Sequence, residues 1–181
     1  TPVADAMALE KILKDKYGFK TELLIDSTRI SMLETISKYR KKLKKNDNFL
    51  VYYAGHGYLD DDNNTGYWQP VDAEIKKDYT WISNSYVTEQ LTAIKAKHIM
   101  VIADSCYSAS LIYRSGSDEE KPLEKNNLKI FYDKKNSKKA RLALSSGDYQ
   151  NVPDSLDGKH SPFANALFFA LNQNNSVLLS S

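Results

Sequence analysis

Two continuous apolar runs, at 48–54 and 98–103, constrain the fold of this chain more than any other feature. Such a run, without polar alternation, is typical of a strand that is covered on both faces. Segments with apolar residues three and four positions apart lie around the two runs, and this spacing predicts helices. Strands that alternate with helices indicate an α/β fold with a largely parallel sheet.

The same patterns place the remaining elements. Gly18 follows the first helical segment as a stop signal, and Ser161 with Pro162 has the form of a helix start. Helices are predicted at 4–13, 31–44, 85–95 and from 161 onwards, further strands at 20–25 and 140–145, and a small hairpin through 67–68. The charged, apolar-poor stretch 115–139 is predicted to be a linker or mobile loop.

The chain contains a single cysteine, Cys106, among 181 residues. One cysteine excludes an intramolecular disulfide and a cysteine-rich zinc site. Neither is needed for stability, because a chain of this length buries about 70% of the surface that its unfolded form exposes. We therefore expect one domain over residues 1–181, in which Cys106 is either a buried apolar residue or a reactive nucleophile.

The charge balance argues against several classes of partner. Lys and Arg total 25 and Asp and Glu total 23, and the net charge of +2 is too small for a dedicated nucleic-acid domain. No apolar run approaches the roughly 20 residues that span a bilayer, and the amino terminus has no signal-peptide pattern. We expect no direct partner of either kind, neither nucleic acid nor membrane, and a reducing, cytoplasmic location.

Reactive side chains follow both apolar runs. His56 lies between two glycines just after the first run, and Cys106 lies three residues beyond the second. Ligands of parallel sheets bind at the carboxyl ends of the strands, so neighbouring strands would bring the two side chains to one rim as a Cys-His dyad. The backbone amides of Gly57 and Cys106 would then be placed to hold an oxyanion.

Each of these residues also has a simpler interpretation. A free cysteine is often buried and inert, and Gly-His-Gly is compatible with a plain turn. The other two histidines fit a dyad less well. His98 is expected at the opposite end of its strand from Cys106, and His160 precedes a helix start, where a capping or loop role is expected. The positions of His56 and Cys106 together favour the dyad.

The segments 53–57 (Tyr-Ala-Gly-His-Gly) and 104–108 (Asp-Ser-Cys-Tyr-Ser) resemble the paired motifs of the caspase-like cysteine peptidases, in particular metacaspases and bacterial caspase homologues. His56 and Cys106 are 50 residues apart, which matches the spacing of caspases. Segments 69–73, 143–147 and 160–164 agree with the bacterial branch. The resemblance implies a three-layer sandwich and an endopeptidase in which Cys106 attacks the peptide carbonyl while His56 handles the proton.

The resemblance also implies a preference for the P1 side chain, the one just before the cut. Asp104 stands two residues before the cysteine as in metacaspases, and Asp5 resembles the Asp of the family's first-helix Asn-Asp-Ala segment. Two carboxylates in one pocket would select Arg or Lys and repel an acidic side chain. Taken alone, Asp5 fits a helix first turn and Asp104 a strand end.

We expect no cofactor. The run 60–62 offers the hard oxygen ligands that Ca²⁺ prefers, but an Asp run in a loop is more often solvated. The family's Cys motif usually has Gly where this chain has Ala109, and His where it has Tyr107. Neither change removes a catalytic atom.

The family's first core strand is not found before the first helix, so we expect a piece of a larger protein with regulatory domains or subunits elsewhere. Relatives indicate an effector in defence, stress or regulated cell death. The alternatives are an inert caspase-like interaction module and an Asp-specific peptidase. Self-processing within 115–139 is a further expectation, because this stretch is rich in lysine.

Overall fold

The computed structural model of the chain describes residues 1–106, 138–147 and 159–173. The helices are α1 (Pro2–Tyr17), α2 (Arg29–Lys42), α3 (Asn84–Thr92) and α4 (Pro162–Gln173). The strands are β1 (Asn48–Ala54), β2 (Gly57–Asp60), β3 (Thr65–Trp68), β4 (Ile82–Ser83), β5 (His98–Asp104) and β6 (Ala140–Ser145), and a 3₁₀ turn spans Asp78–Thr80. Nearly all of the linker predicted at 115–139 lies outside the described residues.

The main sheet is parallel. Strand β5 lies between β1 and β6, and it is parallel to both of them. The pairing of β1 with β5 runs from Asn48 opposite His98 to Ala54 opposite Asp104, so the two strands end together. The predicted α/β fold with a parallel sheet is confirmed.

Helices cover both faces of this sheet. On β1, side chains alternate between two cores, as the period of a strand requires. Phe49, Val51 and Tyr53 pack into a core with α2, α3 and β5. Leu50 and Tyr52 pack into a second core with α1 and α4. The result is the predicted arrangement of three layers, helix on sheet on helix.

A second, antiparallel sheet follows the end of β1. Strands β2 and β3 form the predicted hairpin, and β4 pairs with the other edge of β3. Trp68 at the end of β3 is almost fully buried and stacks on Tyr53 of β1, with ring centroids 4.3 Å apart and planes 2° from parallel. This stack joins the hairpin to the main sheet.

Local signals set the ends of two helices as predicted. Gly18 ends α1 at φ 69°, in the left-handed region that glycine adopts without a Cβ penalty. Ser161 caps α4, because its Oγ accepts a hydrogen bond of 2.9 Å from the backbone N of Ala164. None of the helices in the described part of the chain is long and apolar enough to cross a lipid bilayer.

The observed ends of α1 and α2 differ from the predicted ones by two to four residues, and three further predictions need correction. The strand predicted at 20–25 is absent, because this segment pairs with no strand among the described residues and Leu23, Leu24 and Ile25 remain 37–39% exposed. Strand β1 is covered on both faces but less fully than predicted, since most of its side chains are only half-buried. Helix α3 ends at Thr92 rather than 95, because Ala93 already forms its C-cap.

Candidate active site

The paired ends of β1 and β5 bring the two predicted reactive residues to one rim. His56 lies two residues beyond Ala54, and Cys106 lies two residues beyond its partner Asp104. The backbone N of Gly55 donates a hydrogen bond of 3.3 Å to the carbonyl of Asp104, which ties the first turn to the end of β5. The premise of the dyad, that the two strands are neighbours, is therefore met.

Gly57 lies directly against the backbone of Cys106. A Cβ atom added at Gly57 would stand 2.0 Å from the carbonyl oxygen of Cys106 and 3.1 Å from Oγ of Ser105. Only a residue without a side chain allows this approach. Gly57 thus allows the turn that carries His56 (the histidine turn) to contact the turn that carries Cys106 (the cysteine turn). His56 itself is exposed and Cys106 is half-buried, so both are within reach of a ligand.

The backbone of His56 is held from the opposite side. Its carbonyl accepts hydrogen bonds from Oη of Tyr53 at 2.7 Å and from the backbone N of Gln69 at 3.0 Å. Tyr53 is buried and stacked on Trp68, so the first donor is fixed in place. Burial raises the pKa of Tyr53, which keeps its hydroxyl protonated and able to donate.

The two predicted carboxylates both contact Ser161, for which the sequence predicted a helix-cap role and no contact with either acid. Oγ of Ser161 donates to Oδ2 of Asp104 at 2.5 Å, and the backbone N of Ser161 donates to Oδ2 of Asp5 at 3.3 Å. Oη of Tyr52 donates to Oδ2 of Asp104 at 3.4 Å. Burial raises the pKa of Tyr52, and the charges of Asp104 and Asp5 raise it further. The carboxylates of Asp5 and Asp104 therefore both lie within hydrogen-bond distance of Ser161.

Both carboxylates are covered in this structure. Asp5 is 1% exposed and Asp104 is 9% exposed. Nδ1 of His160 lies 2.5 Å from Oδ1 of Asp5, which is hydrogen-bond distance. The ring of His160 also meets that of Phe168 edge-on, with centroids 5.3 Å apart. A ligand that used these acids would have to replace contacts that already exist.

The chain matches the model of a known protein family. The family model of the caspase domain matches residues 1–180. The chain belongs to the caspase family. This is a family of cysteine peptidases, and the resemblance drawn from the two motifs is therefore confirmed at the level of the family.

The fold of this caspase domain also resembles a solved structure. The crystal structure of protein GSU0716 from Geobacter sulfurreducens matches with a TM-score of 0.63 and 23% sequence identity, over 93% of this chain and 71% of that one. At this identity the likeness concerns the fold alone. A search of curated protein sequences found no match.

Two contacts of the candidate site were not predicted from the sequence. His160 was expected in a capping or loop role and instead contacts Asp5. Tyr53 is the first residue of the histidine motif and had no contact assigned to it, and its hydroxyl donates a hydrogen bond to the His56 carbonyl. A tyrosine three residues before the histidine, with glycine between them, was the available signal for the second contact. Nothing local in the sequence indicated the first, because 155 residues separate the two side chains.

The remaining predicted positions lie apart from the rim. His98 is at the other end of β5, where its ring contacts Oδ1 of Asn48 at 2.8 Å and the carbonyl of Lys138 at 3.1 Å. The carboxylate of Asp60 accepts bonds from the backbone N of Asp62 and the side chain of Asn63, which is a turn arrangement. Within the described ranges, no three His, Cys, Asp or Glu side chains come together as a set of metal ligands.

Proposed function

We propose that the chain is a cysteine endopeptidase that works with a Cys106–His56 dyad. The observation that carries the proposal is the contact of Gly57 with the Cys106 carbonyl at the paired ends of β1 and β5. It joins the histidine turn to the cysteine turn, and a nucleophile needs its base in such a neighbouring position. Side chains and backbone amides of the protein supply the proposed chemistry, and the proposal includes no metal or other cofactor.

In the proposed reaction His56 takes the proton of the Cys106 thiol, and Sγ attacks the carbonyl carbon of the substrate. The backbone amides of Gly57 and Cys106 hold the oxyanion that forms. His56 then gives its proton to the leaving amine as the C–N bond breaks, which leaves an acyl group on Sγ. Water, deprotonated by His56, hydrolyses this thioester and restores the thiol.

We further propose that the enzyme cuts after Arg or Lys, with Asp104 and Asp5 forming the P1 pocket. The convergence of both carboxylates on Ser161 supports this, since two negative charges in one place attract a cation. The burial of both acids adds a condition. A P1 side chain must displace the His160 contact at Asp5, or the Ser161 hydroxyl at Asp104, before it can pair with either acid.

The wider role follows from the resemblance to metacaspases and bacterial homologues. We propose an effector in a defence, stress or regulated cell-death response, with a protein or peptide substrate. A reducing, cytoplasmic location suits a thiol nucleophile, because an oxidised Cys106 cannot attack a carbonyl.

The test compares wild type with Cys106→Ala on two fluorogenic peptides that differ only in P1, Arg or Asp. We expect wild type to cleave the Arg peptide, Cys106→Ala to be inactive, and the Asp peptide to be cut at least about 100-fold more slowly. Equal cleavage by Cys106→Ala would refute the dyad, and faster cleavage of the Asp peptide would refute the basic pocket. Circular dichroism of both proteins controls for folding.

The alternative, an inert interaction module, can be distinguished by the reactivity of Cys106. Cys106 is the only cysteine, so an alkylating probe reports on it alone. We expect alkylation at neutral pH to be faster than that of a free cysteine in a peptide, because a nearby His56 stabilises the thiolate. A rate equal to or below that of the peptide, together with no cleavage, would favour the module.

A further inference from the structure

Two consecutive tyrosines on β1 point to opposite sides of the sheet and contact different parts of the site. Tyr52 reaches Asp104, and Tyr53 reaches the turn that carries His56. We propose that Tyr53 is a positioning residue, which holds the backbone of His56 in a place from which the imidazole can reach Cys106. This inference rests on the proposed role of His56 as the partner of the thiol.

The hydrogen bonds of the Tyr53 hydroxyl favour this role. Oη lies 2.7 Å from the carbonyl of His56 and 3.2 Å from that of Gln69, and its single proton goes to the nearer acceptor. The backbone N of Gln69 is shared between the same His56 carbonyl and Oη of Tyr53. The His56 carbonyl is thus held by two donors that are also bonded to each other.

The donor itself is rigid. The ring of Tyr53 lies flat on Trp68 and is 8% exposed, so the hydroxyl cannot leave without breaking the stack. Gly55 makes room for it, because a Cβ at that position would lie 2.9 Å from Oη and 3.1 Å from Cζ of Tyr53. The glycine on the N-terminal side of His56 therefore accommodates the tyrosine, as the glycine on the other side accommodates Cys106.

A rigid support matters here because the His56 side chain is exposed. Few neighbours restrain an exposed imidazole, so its direction depends on the position of its own backbone. Tyr53 fixes that backbone from one side, while Gly55 and Gly57 meet the β5 end from the other. A misplacement of about 1 Å in such a group can cost about 100-fold in rate.

Tyr53→Phe tests the proposal, because it removes the hydroxyl and keeps the ring on Trp68. We expect kcat for the Arg-P1 peptide to fall about 10- to 100-fold with KM changed less than about 2-fold. The pH midpoint of Cys106 alkylation should move upward, toward the value found for His56→Ala. A purely structural role would lower stability and leave this midpoint in place.

Two matched variants control for the loss of a hydroxyl. In Tyr52→Phe the lost hydroxyl faces Asp104, so KM should change more than kcat. In Tyr17→Phe the lost hydroxyl bonds the carbonyl of Leu171, away from the rim, so only stability should fall. Wild-type kcat and an unchanged alkylation midpoint in folded Tyr53→Phe would overturn the proposal.

A second variant covers the case in which Tyr53→Phe does not fold. Gly55→Ala pushes the Tyr53 hydroxyl away from His56 without removing the ring, and should give the same fall in kcat and the same upward midpoint. Folded Gly55→Ala with wild-type values would also overturn the proposal. These results can be told apart from a failure of the proposed function. In that case Cys106→Ala would cleave the peptide as fast as wild type.

Discussion

Gly57→Ala is the sharpest perturbation of the contact on which the proposed function depends. No positive φ restricts this position, so alanine is acceptable to the backbone and the only penalty is its Cβ. That atom would stand 2.0 Å from the Cys106 carbonyl oxygen, whereas real Cβ atoms stay at least 3.0 Å from such an atom. The two turns must therefore separate by about 1 Å, the scale of misplacement that is costly in catalysis.

Both stability and activity should respond. Overpacking of this kind costs about 1–3 kcal/mol of unfolding free energy. A 1 Å displacement of Cys106 relative to His56 should lower kcat/KM for the Arg-P1 peptide about 100-fold. The assay combines initial rates, the rate of Cys106 alkylation and urea unfolding followed by circular dichroism.

Gly18→Ala is the matched control. Gly18 has φ +69°, and nothing lies within 4 Å of the position that a Cβ would take. Alanine there should cost about 1 kcal/mol through backbone strain alone and leave kcat/KM unchanged. If Gly57→Ala retained wild-type kcat/KM, or if Gly18→Ala lost as much activity, the inferred contact between the two turns would be wrong.

Two further predictions concern the buried polar groups. His160→Ala should lower the unfolding free energy by about 1–3 kcal/mol, because it removes the ring that contacts the buried Asp5 carboxylate, and it should also lower KM for the Arg-P1 peptide by opening that carboxylate; an unchanged KM in the folded variant would separate Asp5 from the P1 pocket. The unfolding free energy should also decline above about pH 10. The pKa values of Tyr52 and Tyr53 are raised in the folded chain, so these hydroxyls stay protonated there, while in the unfolded chain they lose their protons and so favour unfolding. Each contributes up to about 1.4 kcal/mol per pH unit, so urea unfolding at pH 9–11 should show a shallower decline for Tyr53→Phe, and an equally steep decline would contradict this origin.

The position of the candidate site could be predicted from the sequence. The offset between paired residues of β1 and β5 is the same as the spacing between His56 and Cys106. Every residue of β1 pairs with the residue 50 positions later in β5, the same separation as that of His56 and Cys106. Two unbroken apolar runs that each end just before a reactive residue therefore predicted both the strands and their common edge. Parallel pairing then preserved the alignment up to the two turns.

Predictions failed where structure depends on partners distant in sequence. Residues 20–25 have strand-like composition, but a strand exists only where a neighbour completes its hydrogen bonds, and none does among the described residues. The Asp5–His160 contact joins α1 to the start of α4, and no local pattern encodes it. The helix-cap signal at Ser161 was recognised, but its second role toward Asp104 depends on tertiary packing.

The same network links stability to the proposed specificity. Asp5 belongs to α1, Asp104 ends β5, and Ser161 caps α4, so the hydrogen bonds that cover the two acids also join both helices of one layer to the end of the sheet. A buried carboxylate is tolerated only while its oxygens are paired, because desolvation of an unpaired charge is costly. An entering Arg or Lys would replace one set of donors by another rather than fill an empty pocket. The binding free energy of the P1 side chain is then the difference between its own bonds to the carboxylates and the bonds that it replaces. Arg should be favoured over Lys, because its planar guanidinium can bond both oxygens of a carboxylate.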